Sequence, residues 1–256
     1  MWWSYEDAQE RKEDVQRLMD RRRSRGEVFE LLEVKASSKK LCSTFWGQAW
    51  CRHLEAFQVY EGRLQRGRSY LRQKTVYNLK IKPGVVEAIV AGATLYETRV
   101  HIRPLAEHRW ADIAREGSGQ VHSMLDLLAG RLGDGLMQLL VDVDRGLFPS
   151  PGEMRFDCSC PDHADLCKHV AAVLYGTGVL LDERPELLFT LRGVDQAELL
   201  SVASSVTAAG LSSVDEALSG SDLSRIFGIE LGEMNLPSPS SDEKSNDPSP
   251  RSSGNT

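Results

Sequence analysis

The chain has 256 residues, 41% of them hydrophobic and 27% charged, and a net charge of −6. That is the make-up of a soluble globular protein with room for one or two modest domains. No apolar run reaches the roughly 18 residues that span a bilayer, and the acidic balance argues against a purely non-specific nucleic-acid binder. The opening M-W-W-S-Y-E-D-A-Q-E lacks a basic and then an apolar region, so a secretory signal is not expected. A cytoplasmic location is expected, where free thiols stay reduced. The mean charge hides an asymmetry. Arg21 to Lys82 carries 15 Lys and Arg against 5 Glu, a surplus of +10, so the rest of the chain is −16.

Residues 5 to 34 read as one charged helix, with Val15, Leu18, Met19, Val28, Phe29 and Leu32 near helical spacing and Gly26 as a weak point. The run Arg21-Arg22-Arg23-Ser24-Arg25 is either a solvated face or a phosphate contact. Ala36 to Lys40 is a polar connector. Phe45 to Phe57 is an amphipathic helix with a core stripe of Phe45, Trp46, Trp50, Leu54 and Phe57. On it Cys51, like Cys42 before it, reads as an ordinary thiol and His53 as a surface residue.

Glu61 to Leu105 holds most of the basic surplus. It opens with an Arg/Gly-rich loop bearing Arg63, Arg66, Arg68, Arg72 and Lys74. Three alternating runs follow. Tyr77, Leu79 and Ile81 share one face and Lys80 and Lys82 the other. Pro83-Gly84 turns the chain into Val85 to Ala91. Tyr96, Thr98, Val100 and Ile102 then face in, with Glu97, Arg99, His101 and Arg103 out. This is an antiparallel meander with a basic solvent face. Such a face either keeps the sheet soluble or tracks a phosphate backbone.

Helical stretches follow at Trp110 to Ala114, Val121 to Leu128 and Leu136 to Val143, and Phe148 to Gly152 turns the chain. Phe156 to His169, F-D-C-S-C-P-D-H-A-D-L-C-K-H, then gathers three of the five cysteines and two of the six histidines. Cys158 and Cys160 suit a strand end, where alternate side chains share a face. Cys167 and His169 cannot share a face in mid-helix, about 200° apart, so they suit a turn entering one. The helix is V-A-A-V-L-Y, and Gly176-Thr177-Gly178 is expected to end it. Two close pairs of soft ligands make a tetrahedral metal site, with His169 or the loop residue His163 as fourth ligand. Four such ligands leave no open position, which points to a structural metal. Arg184 to Leu191 reads as a further helix, and Asp195 caps the next. Ser212 or Ser213 caps another. Leu223, Ile226, Phe227 and Leu231 form an apolar run that docks on the domain or on a partner. From Pro237 the chain is too polar to fold.

The order C-x-C-x6-C-x-H, with Pro-Asp after the second cysteine and C-K-H-V-A-A-V-L-Y at the end, resembles the SWIM zinc finger. From about Phe45 to Leu231 the chain resembles the stand-alone bacterial SWIM-containing proteins. The resemblance implies one structural Zn2+ held by Cys158, Cys160, Cys167 and His169. It also implies a role in binding DNA or proteins, with a Swi/Snf-type helicase-like ATPase as partner.

The expected fold is α+β: an antiparallel β-meander packed with helices, a strand–zinc knuckle–helix SWIM finger and a helical C-terminal part. The divisions are a charged N-terminal helix at 1–40, a helix, the basic meander and helices at 41–150, the finger at 151–180, a helical part at 181–235 and a disordered tail at 236–256. The expected function is a DNA-binding adaptor contacting phosphates through Arg63, Arg66, Arg68, Arg72, Lys74, Lys80, Lys82, Arg99 and Arg103. The competing reading is a zinc-stabilised protein–protein adaptor without nucleic-acid contact. Neither a phosphate-binding loop, nor G-x-S-x-G, nor H-E-x-x-H occurs, so no enzyme and no small-molecule substrate are expected.

Overall fold

The computed structural model describes residues 5–35, 40–57, 61–117, 134–162 and 164–199. It bears out the α+β class: helices and one four-stranded antiparallel sheet. Helix α1 spans Tyr5–Arg23. It stops where Gly26 takes a φ of 90°, a left-handed conformation that glycine adopts freely. Residues 27–35 do not continue the helix, contrary to the expectation of one element to residue 34. They run beside the sheet, and Leu31 bridges Tyr77.

Asn78 holds that segment. Its backbone N–H donates to Glu30 O at 2.8 Å, its Nδ2 donates to Val28 O at 2.6 Å, and its Oδ1 accepts from the Glu30 N–H at 2.7 Å. Asn78 pays for this with a φ of 51°, which asparagine tolerates better than most residues. The result is a bulge in β1 (Val76–Lys82). Tyr77 pairs with Ile89 and Lys80 with Glu87, one residue more on β1 than on its partner. Tyr77 therefore sits on the outer face with Lys80 and Lys82, not on the inner face with Ile81 as strict alternation predicts.

β2 (Val85–Ala91) and β3 (Leu95–Ile102) follow the expected alternation. The sheet order is β1-β2-β3-β4. β4 is Met154–Cys158, the strand leading into the cysteine cluster. It pairs with β3 from Ile102↔Met154 to Thr98↔Cys158. The finger thus shares its sheet with the meander.

On the inner face lies a long helix, and α2 (Phe45–Glu55) and α3 (Glu61–Arg72) pack against it. Between β3 and β4 come α4 (Glu107–Gly117) and α5 (Asp134–Val141). The long helix, α6, runs Lys168–Glu183 and is buried at every residue from His169 to Val179. It continues through Gly176 and Gly178, which were expected to end it. These glycines are contact points. A Cβ on Gly176 would lie 2.6 Å from a Leu79 methyl, and one on Gly178 would lie 2.9 Å from the Trp50 ring. Close packing on three sides outweighs the propensity cost of glycine, about 1 kcal/mol per residue.

α3 crosses α6 at Gly67. A Cβ there would stand 2.6 Å from the Ala171 carbonyl carbon and 2.7 Å from the Ala172 nitrogen. Backbone cannot yield as a side chain can. In an open helix Gly→Ala is favourable by about 1 kcal/mol, but here overpacking of about 1–3 kcal/mol opposes it. Gly67→Ala is expected to lower the urea midpoint. A raised midpoint would mean the two helices do not meet there.

α2 is capped from a distance. Asp182 of α6 accepts from Thr44 N at 2.6 Å, Ser43 N at 2.8 Å and both hydroxyls. Burial alone would raise this carboxyl, but those donors hold it below the usual carboxylate range. α7 is Leu187–Arg192 and ends at Gly193, φ 69°. Asp195 accepts from Ala197 N at 2.9 Å, as expected of a cap. The expected helix at Val121 to Leu128, the Ser212 or Ser213 cap, the apolar run near Phe227 and the C-terminal tail lie outside the described residues. So does His163.

Candidate metal centre and basic surface

Strand pairing and helix entry bring the four sequence-predicted ligands together. Cys158 is the last residue of β4, and Cys160 follows in the knuckle. Ser159 fixes that knuckle to β3, its N–H donating to Glu97 O and its Oγ accepting from Glu97 N, each at 3.0 Å. Cys167 is the N-cap of α6, its sulfur accepting from Val170 N at 3.4 Å. His169 sits in the first turn, as Cys-x-His at a helix entrance requires.

The ligand atoms of Cys158, Cys160, Cys167 and His169 all lie within 4.8 Å of one another. His169 Nδ1 is 3.8 Å from Cys158 Sγ and 3.9 Å from Cys167 Sγ. A zinc ion binds sulfur at about 2.3 Å and nitrogen at about 2.0 Å, so ligand atoms around it stand a little under 4 Å apart. No disulfide joins the cysteines. The cluster fits one structural zinc ion.

The protonation chemistry also fits a cation. The Cys158 thiol lies below the usual thiol range, chiefly through a hydrogen bond from Cys167. Cys167 is pushed up to about 11 by Cys158 and by burial. Burial raises Cys160 as well. Crowded sulfurs resist carrying several negative charges, and a divalent ion removes that conflict.

Supporting contacts escape the ligand pattern. Buried Thr98 places its Oγ1 3.5 Å from Cys158 Sγ. Tyr96 stacks on the His169 ring at 4.4 Å, and Tyr70 meets it edge-on at 5.4 Å. His169 Nε2 is buried without a hydrogen-bond partner among the described residues. A ligating histidine usually donates its second N–H to an oxygen; here aromatic packing orients the ring. The inward alternation of Tyr96 and Thr98 was the available signal, but nothing local ties them to residues 60 or more positions away.

The basic residues distribute unevenly. The Arg/Gly stretch is helix α3, not a loop, because Leu64 and Leu71 repeat at helical spacing and both are buried. Arg63 pairs with Asp162 of the knuckle at 2.6 Å. Arg68 reaches Glu55 at 3.3 Å and lies over the Tyr175 ring. Arg66, Arg72 and Lys74 are exposed. Lys80, Lys82 and Arg99 do stand on the outer face of the sheet, but with Glu87 among them. Lys82 bonds Glu87 at 2.6 Å, and Arg99 is 3.5 Å from it. Arg103 lies past the end of β3, its carbonyl accepting from Arg192 at 2.7 Å. In the N-terminal run Arg22 pairs with Glu27 and Arg23 with Asp20.

One isolated reading changes. His53 is buried, its Nε2 2.8 Å from Pro149 O, so it is not a surface residue. Burial holds its pKa below the usual imidazole range despite that contact. Cys42 and Cys51 are buried with their sulfurs 3.7 Å apart.

The SWIM zinc finger family model matches residues 141–175, which span β4, the knuckle and the first half of α6. The chain therefore carries a SWIM zinc finger. Over 182 residues it is 32% identical to uncharacterized protein Rv2102 of Mycobacterium tuberculosis. That alignment covers 69% of this chain and 65% of the relative, so the chain spans just under two thirds of the relative's length. No solved structure matches the chain. No helix among the described residues is long and apolar enough to cross a membrane.

Proposed function

We propose that this protein is a DNA-binding adaptor in which a SWIM zinc finger holds a basic helix in place. One observation carries the reading: α3, with its arginines, is fastened directly to the finger. Gly67 lets α3 reach the backbone of α6, and Arg63 is tied to Asp162 in the knuckle. Zinc that fixes the knuckle and the start of α6 then also fixes Arg66, Arg72 and Lys74 on the surface. The chain in this reading binds rather than catalyses, in a reducing cytoplasm that keeps its five cysteines free. Its protein partner is a Swi/Snf-type helicase-like ATPase, the class that the SWIM resemblance supplies.

A salt titration tests the DNA contact. For the zinc-loaded chain, log affinity for a fluorescent oligonucleotide is expected to fall linearly with log salt, with a slope of about −0.7 to −0.9 per phosphate neutralised. Affinity indifferent to salt would overturn the reading. The neutralising Glu87 between Lys82 and Arg99 favours the second reading, a protein–protein adaptor, for the sheet face alone. Retention of a partner after nuclease treatment would support it.

A further inference from the structure

A cleft of about 560 Å³ opens between α1 and the turn from α3 into β1. Arg11 and Lys12 line it from α1, Lys74 from the turn and Lys168 from the first turn of α6. None of its lining residues is Asp or Glu, although acidic residues outnumber basic ones in the chain, 37 to 31. Tyr70 and Tyr77 add aromatic surface. The bulge at Asn78 is what puts Tyr77 on this side of the sheet. Lys168 lies with its Nζ 4.9 Å from the Tyr70 ring centre. The floor at Gly92 backs onto the zinc site, since a Cβ there would stand 3.0 Å from His169 Nε2.

Three lysines, Lys12, Lys74 and Lys168, in a wall that holds no Asp or Glu attract an anion, because the field inside a cleft is focused by its low-dielectric walls. Rings beside them suit a planar base, as in single-strand binders. The volume lies within the range of about 300–1,000 Å³ typical of sites for one small ligand. A duplex keeps its bases stacked inside and can offer such a cleft only its outer phosphates.

We propose that this cleft takes a nucleoside phosphate, as one unit of a single strand or as a free nucleotide, with the phosphate among Lys12, Lys74 and Lys168 and the base against the tyrosines. The single-strand form rests on the DNA-binding reading; the free form does not.

The test uses the full zinc-loaded chain with three probes: a fluorescent oligo-dT, a duplex of equal length, and thymidine 5′-monophosphate. Lys12→Glu/Lys74→Glu reverses charge in the cleft, and Lys80→Glu/Arg99→Glu reverses it on the sheet face. Zinc content and melting temperature serve as folding controls. The cleft variant is expected to bind oligo-dT at least about tenfold more weakly, losing two phosphate contacts, with both controls unchanged. The sheet variant is expected to stay within about twofold, and the duplex to bind more weakly than oligo-dT. Wild-type affinity in the cleft variant, with loss in the sheet variant, would overturn the cleft and leave DNA binding standing. If the wild type binds neither strand form, the DNA-binding reading falls. Saturable binding of the mononucleotide, lost in the cleft variant, would then uphold the cleft with a free nucleotide as its ligand. Absence of that binding as well would overturn it.

Discussion

Cys160→Ala is expected to leave the purified protein without its zinc and to lower its melting temperature. Cys160 supplies one of the four ligand atoms gathered within 4.8 Å among the described residues, and the remaining three hold zinc far less tightly. In small fingers zinc binding is worth about 10–16 kcal/mol and decides folding outright. Here the ligands adjoin a much larger buried core, with Trp46, Trp50, Leu174 and Phe189 in it, than a small finger has. The loss is therefore set by linkage: with free zinc at about 100 to 1,000 times its Kd, the ion contributes roughly 2.7–4.1 kcal/mol. At about 2–4 °C per kcal/mol for a chain of this size, the melting temperature should fall by about 5–16 °C. Hydrogen exchange should speed most in Cys158 to Val170, and less in the middle of α6. Stoichiometric zinc in a well-folded Cys160→Ala variant would contradict the ligand assignment.

Arg192→Met is expected to destabilise the protein by about 3–5 kcal/mol, the usual cost of leaving one member of a buried ion pair alone, while zinc content stays unchanged. Arg192 is fully buried. Its Nη2 donates to Glu153 Oε1 at 2.8 Å and its Nη1 to Arg103 O at 2.7 Å. Arg109 lies 3.4 Å from the same carboxylate, and Ser150 N donates to its other oxygen at 2.9 Å. One cluster thus ties α7, the end of β3 and the turn that starts β4. Burial would raise the Glu153 carboxyl, but the Arg192 hydrogen bond, the Ser150 N–H and the two arginine charges hold it below the usual range. A depressed carboxyl stabilises the fold above its unfolded pKa, about 4.3, and that contribution disappears as pH falls through the lower folded value. The wild type should lose stability in acid from about pH 5 downward, and Arg192→Met should lose less over that window. A loss under about 1 kcal/mol in urea denaturation would show that the guanidinium is not committed to Glu153.

Much of the site was legible because it is local. Four ligands within Cys158 to His169 declare themselves through spacing, and β2 and β3 through alternation. What was missed depends on distant partners. Pairing of Thr98 with Cys158 joins strands 60 residues apart, so the sequence suggests a finger beside the meander, not one within its sheet. Tyr77 changes faces because Asn78 bonds to Val28 and Glu30, nearly 50 residues earlier. Gly176 and Gly178 look like breakers until Leu79 and Trp50 are seen filling the space beside them. His53 is polar on a helix, and only the contact with Pro149 shows why it is buried. The basic face was half legible. Residue type identifies the lysines and arginines, but Glu87 and Asp162 neutralise some of them through pairings that no local pattern reveals.

Zinc-edge X-ray absorption on the purified wild type, with metal content measured on the same sample, bears most directly on the metal centre. The expected result is one zinc per chain with three sulfurs at about 2.3 Å and one nitrogen at about 2.0 Å. A shell with an oxygen in place of a sulfur, or well under one zinc per chain in a folded sample, would contradict it.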